Sequence, residues 1–130
     1  MYEMKDEFKT NIQFIDEQHE KLFEIADNAY MLLTDNFTLD KYDKIMDIID
    51  ELKDYTKFHF DAEEKYMESI NYKKLFSQKV SHEAFIKKLN EFNLKDIDEN
   101  QDATIRELLK FLNDWLIEHI LHSDKLIAEA

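Results

Sequence analysis

The chain of 130 residues contains no glycine and no proline. Tight hairpins, bulges and most turns with positive φ draw on glycine, and turns and edge strands draw on proline, so a chain without either lacks the usual punctuation of β architecture. A helix interior loses nothing by their absence, since they are the two residues it tolerates least. Leu, Lys, Glu and Asp are plentiful, and the expected fold class is all-α.

A period of 3.6 residues picks out apolar stripes on four segments. The first is Ile15, His19, Leu22, Ala26, Ala29/Tyr30, Leu33; the second is Ile45, Ile48/Ile49, Leu52, Tyr55, His59, Glu63, Tyr66/Met67, Ile70. The third is Leu75, Gln78, His82, Phe85/Ile86, Leu89, Phe92, and the fourth is Ile105, Leu108/Leu109, Leu112, Trp115/Leu116, His119. Short polar connections between long amphipathic helices favour an antiparallel up-down four-helix bundle. The expected layout is one domain over 1–130, with a non-helical N-terminal arm over about 1–14 (Tyr2, Phe8, Ile12, Phe14) packed along the bundle. Helices are expected over about 16–36, 39–70, 72–93 and 102–121, followed by a short segment 122–130. Asp16, Thr38 or Asp40, and Asn71 are the expected caps of the first three helices, and Asp102 sits near the start of the fourth.

The formal net charge is −13, from 30 acidic and 17 basic residues. Phosphate backbones and anionic lipid are bound by neutralising Lys and Arg, which this surface cannot supply in surplus, so neither nucleic acid nor membrane is an expected partner. The N-terminus is charged and no apolar run is long enough to cross a bilayer, which predicts a soluble, cytoplasmic protein. With no cysteine, disulfides and thiolate sites are excluded, and any metal must be held by His and carboxylate.

The polar residues inside the stripes carry the functional signal. His19, His59, Glu63, Gln78, His82 and His119 occupy positions where the period demands apolar side chains. Burying an unpaired carboxylate or imidazole costs several kcal/mol, so such groups are paired, hydrogen-bonded or metal-bound. One core histidine would be unremarkable, but four histidines and a glutamate on the inner stripes of four helices point to metal. His59 and Glu63 are four apart, as are Gln78 and His82, a spacing that lets two side chains of one helix converge on one ion. His119 and Asp124 are five apart, about 140° away from a common facing direction on a regular helix, so they can share a site only where the helix ends or tightens. Asp124 by itself reads as a solvated carboxylate. Glu64 and Glu118 fall one step off their stripes and are expected in solvent, as is His122; Trp115, Phe85 and Tyr55 read as core packing.

Three motifs in this order resemble the bacterial hemerythrins: Ile15-Asp16-Glu17-Gln18-His19, the run His59-Phe60-Asp61-Ala62-Glu63-Glu64-Lys65-Tyr66-Met67, and Trp115-Leu116-Ile117-Glu118-His119-Ile120-Leu121-His122-Ser123-Asp124. The resemblance covers nearly the whole chain. It implies two iron ions bridged by the carboxylates of Glu63 and Asp124 and by an oxo or hydroxo group, with molecular oxygen as the ligand that is bound and released. By position, His19 and His59 would hold the iron that keeps a place for oxygen, and His82 and His119 the other. At Gln78 the pattern calls for a further histidine, and an amide oxygen is a weaker donor than imidazole. The expectation is an altered second metal position, with a shifted redox balance, faster autoxidation or an added exchangeable place. In the arm, Phe8 stands where the family often has Trp, and Asn11 where it often has Gly; Asn is the residue that best tolerates positive φ after Gly.

Reversible oxygen binding also needs a dry pocket, for which Leu116 and Ile120, flanking His119, are candidates beside a plain packing role. The function expected is reversible oxygen binding at a non-haem di-iron centre, for storage, delivery or sensing, and a binder more than an enzyme. The alternatives are a di-iron peroxidase or a scavenger of peroxide or nitric oxide, and a bundle holding zinc, manganese or a single iron. A ferritin-like oxidase is disfavoured, because those bundles use Glu-x-x-His pairs.

Overall fold

The computed structural model describes residues 4–92 and 99–128. Within them a short 3₁₀ turn, Asp6–Phe8, leads into α1 (Gln13–Thr34), α2 (Tyr42–Ser69), α3 (Leu75–Asn90) and α4 (Gln101–His119). A π-helical turn, Ile120–Asp124, then continues α4 directly into α5 (Lys125–Ala128). There is no strand among the described residues, and the fold is an all-α four-helix bundle. Among the described residues no helix is long and apolar enough to cross a membrane.

α1 packs on α2 and on α4, and α2 packs on α3. The connections between α1 and α2 and between α2 and α3 are too short to cross the bundle, so successive helices run antiparallel. The remaining seam, between α3 and α4, is filled by large rings: Phe85 stacks on Phe111 at 5.0 Å and lies 4.5 Å from Trp115. The core draws Leu22, Ile25 and Ala26 from α1, Ile45, Ile49 and Leu52 from α2, Leu89 from α3, and Ile105, Leu108 and Leu112 from α4. Burial of each large aliphatic side chain contributes roughly 1.5–3 kcal/mol. A second apolar cluster, Phe8, Phe23 and Ile120, fastens the arm to α1 and to the π turn.

Several expected boundaries shift for identifiable reasons. Asp16 is not the cap residue of α1, which starts at Gln13 after Ile12. Its carboxylate reaches back to accept hydrogen bonds from the Thr10 amide (2.7 Å), the Thr10 hydroxyl (2.8 Å) and the Asn11 amide (3.0 Å). It thereby holds the bend at Asn11, whose φ is 66°. Asn71 does not cap α3. With φ at 53° it terminates α2, its amide donating to Glu68 and the next amide, of Tyr72, donating to Met67. That pair of bonds is a Schellman closure, and Asn supplies the left-handed residue in a chain without glycine. Asp40 accepts from the Tyr42 amide (3.0 Å), one residue ahead of the formal cap Lys41, while Thr38 bonds back to Asp35. Asp102 pairs with the buried Lys41 at 3.0 Å, tying the start of α2 to the start of α4. Residues 122–128 continue the last helix instead of leaving it as a separate segment. The expectations for Tyr2 and for the end of the third helix at residue 93 lie outside the described residues.

Candidate metal centre

Each of the four long helices delivers at least one polar side chain to one buried point. α1 supplies His19, α2 supplies His59 and Glu63, α3 supplies His82, and α4 with its π turn supplies His119 and Asp124; all are 5 % exposed or less. The π turn is what admits Asp124. In a π-helix residue i+5, not i+4, sits above residue i, so the local widening at Ile120–Asp124 carries Asp124 under His119. The sequence expectation of a tightened or ended helix is corrected here: the helix loosens by one residue and continues.

Glu63 stands in the middle. Its Oε2 lies 3.3 Å from His59 Nε2 and 3.9 Å from His19 Nε2, while its Oε1 lies 3.2 Å from His82 Nε2 and 4.0 Å from His119 Nε2. Asp124 divides the same way, with Oδ2 2.9 Å from His19 Nε2 and Oδ1 3.0 Å from His119 Nε2. Two nests result, one of His19, His59, Glu63 and Asp124, the other of His82, His119, Glu63 and Asp124, with donor atoms within 4.8 Å of one another. Adjacent ligands of an octahedral divalent ion with bonds of roughly 2.1 Å lie roughly 3.0 Å apart, close to the four shorter separations, which run from 2.9 to 3.3 Å. These contacts are close without being hydrogen bonds. The Nε2 atoms of His19, His82 and His119 and both oxygens of Glu63 and Asp124 are buried with no hydrogen-bond partner, a state that would be costly unless cations fill the nests. Donor chemistry and spacing fit a pair of metal ions.

The outward ring nitrogens explain why the inward ones are available. Gln18 Oε1 lies 2.6 Å from His59 Nδ1, Glu64 Oε2 lies 2.8 Å from His82 Nδ1, and Ser81 Oγ lies 3.2 Å from His119 Nδ1. An Nδ1–H donated to these oxygens leaves the Nε2 lone pair facing the nest and fixes each ring's rotation. Sequence reasoning missed these three residues and placed Glu64 in solvent. Glu64 is about a fifth exposed, reaching from the edge of α2 across to α3. Ring stacking adds a second restraint: Phe60 lies on His82 at 4.0 Å and 6°, and Trp115 lies on His119 at 4.2 Å and 14°. Trp115 thus packs the core and also positions an imidazole.

In the metal-free protein, burial alone would raise the pKa of Glu63, but the charge of His59 and the surrounding imidazoles outweigh it and hold the carboxyl well below the usual carboxylate range. Burial would lower that of His119, yet Asp124 first and Glu63 second push it up to about 9. The carboxylates therefore collect positive charge, and an ion held in the second nest would have to take the place of the His119 proton.

Gln78 is buried on α3, one turn before His82, and its Oε1 has no hydrogen-bond partner. Leu116 and Ile120 are both buried, in different apolar clusters, Leu116 in the main core and Ile120 with Phe8 and Phe23. His122 and Glu118 are exposed, as expected.

An up-down helical bundle with two His nests sharing two carboxylates defines a dinuclear-metal bundle protein. Residues 10–130 match the family model of the hemerythrin HHE cation binding domain, and the chain belongs to that family. It is 55 % identical over 125 residues to a bacteriohemerythrin of Clostridium acetobutylicum, covering 96 % of this chain and 97 % of that one. A bacteriohemerythrin of Pseudomonas paraeruginosa is 34 % identical over 126 residues, 97 % of this chain and 78 % of its own. The crystal structure of wild-type hemerythrin superposes with a TM-score of 0.80 at 26 % identity, covering 99 % of this chain and 95 % of that one.

Proposed function

We propose that this protein reversibly binds molecular oxygen at a di-iron centre held by His19 and His59 on one ion, His82 and His119 on the other, and Glu63 and Asp124 across both. The observation that carries the reading is the division of each carboxylate, one oxygen to each nest. The family and the bacteriohemerythrin relatives support iron and oxygen as the occupants. When bound, the pair of irons supplies the redox chemistry that takes up and releases oxygen.

The chain's own residues supply the rest. Four neutral imidazoles and two carboxylates carry two negative charges, which would offset half the charge of two ferrous ions. Gln18, Glu64 and Ser81 hold three of the rings in register. His19 has no such partner on Nδ1 and is held by packing and by its neighbours, the His59 ring lying 4.9 Å away at 69°. Leu116 and Ile120 keep water from the ions, since water and protons promote loss of bound oxygen as peroxide. The test is anaerobic reconstitution with ferrous iron. Two irons per chain, and a visible charge-transfer band that appears in air and disappears when oxygen is stripped, are expected. A one-way spectral change would overturn reversible binding.

A further inference from the structure

A cavity of about 280 Å³ opens between the α2–α3 connection and the π turn, lined by Lys74, Ser77, Gln78, Ser81, His122 and Ser123 among others. Its chemistry is unlike that of the two larger grooves. One of those carries Glu91, Glu107, Asp114 and Glu118 and the other Asp61, Glu64, Glu83 and Glu91, whereas among the described residues no carboxylate lines this cavity. In a chain of net charge −13, an opening whose described lining offers a lysine, an imidazole, an amide and the hydroxyls of three serines and Tyr72 is an anion-tolerant route through an otherwise repelling surface.

The cavity also borders the metal centre. Ser81 lines it and contacts the His119 ring. Gln78 lines it too, 4 % exposed, with a carbonyl oxygen that has found no partner. Gln78 lies on the same face of α3 as His82. Its amide is a weak metal donor beside imidazole, but it can donate through Nε2 or accept through Oε1 to a small molecule held next to it.

We propose that this cavity is a second ligand port, through which a small inorganic monoanion exchanges with water on the ion held by His82 and His119, with the Gln78 amide as its hydrogen-bond partner. The port is separate from the oxygen-accepting position and rests on the di-iron reading above. Its consequence is that both ions of the pair, and not one, are open to exogenous ligand.

The test uses diferric protein with azide as the probe, followed by calorimetric titration and the azide infrared band, with iron counted in every sample. Wild type is expected to bind two azides per chain with two resolved bands, and Gln78→His to bind one while keeping both irons. Ser77→Phe, at the exposed mouth, should keep both azides but slow one association by about tenfold. A single azide in wild type, two in Gln78→His, or unchanged association in Ser77→Phe would overturn the proposal. Fewer than two irons in wild type would instead overturn the di-iron reading on which it rests. Should Gln78→His fail to fold, the wild-type stoichiometry and the Ser77→Phe rate decide the matter.

Discussion

Glu64 is the residue whose position most changes what the site can do. A carboxylate accepting from a metal-directed imidazole orients the ring and raises its basicity, and losing such a partner costs 10–100-fold in metal affinity as a rough range. Glu64→Ala should therefore weaken the ion held by His82 by about that factor, measured by competition with a chelator, while Gln18→Leu should weaken the other ion. Unchanged affinity in Glu64→Ala would mean that the contact at 2.8 Å is incidental. Leu116, 2 % exposed, bears on water exclusion. Leu116→Ala should speed autoxidation of the oxygenated protein and destabilise the fold by about 2–5 kcal/mol through the cavity it leaves. Destabilisation with an unchanged autoxidation rate would restrict Leu116 to packing.

At the scale of the element, the π turn and the end of α2 do what an uninterrupted α-helix cannot. A π bulge amounts to one residue inserted into an α-helix. Deleting the exposed His122 should thus leave a regular helix with the His and Asp four apart and still bind two ions, whereas deleting Ile117, within α4, should rotate both ligands away and abolish the second nest. Metal counts on the two deletions, with circular dichroism to confirm helicity, distinguish these outcomes. At the end of α2, Asn71 holds φ at 53°. Asn71→Ala should cost about 1 kcal/mol or somewhat more for placing a Cβ there without the Asn side chain, and Asn71→Gly should cost nothing measurable by denaturant midpoint.

For the whole molecule, the core is an assembly of four apolar stripes interrupted at one level by charge. Without metal, the unpartnered atoms of His19, Glu63, His82, His119 and Asp124 remain buried, at several kcal/mol in total. Chelation should lower the melting temperature by on the order of 10 °C, measured by calorimetry on loaded and stripped protein. Equal melting temperatures would contradict a metal-dependent core.

How much of this could be read beforehand follows from the range over which each signal acts. Helical class, the four stripes and the misplaced polar residues at His19, His59, Glu63, Gln78, His82 and His119 were legible in the sequence, because burial periodicity is a property of each helix taken alone. Asp124 was legible only through resemblance, since its spacing from His119 contradicts a regular helix. What the tertiary structure decided depends on how helices are rotated and shifted against one another. The division of the Glu63 and Asp124 oxygens between two nests, the reach of Glu64 from α2 to His82 and of Gln18 from α1 to His59, the stacking of Phe60 on His82, and the cavity at Gln78 all join residues of different helices. No period within a single segment encodes those distances; they arise when packing sets the helices against each other.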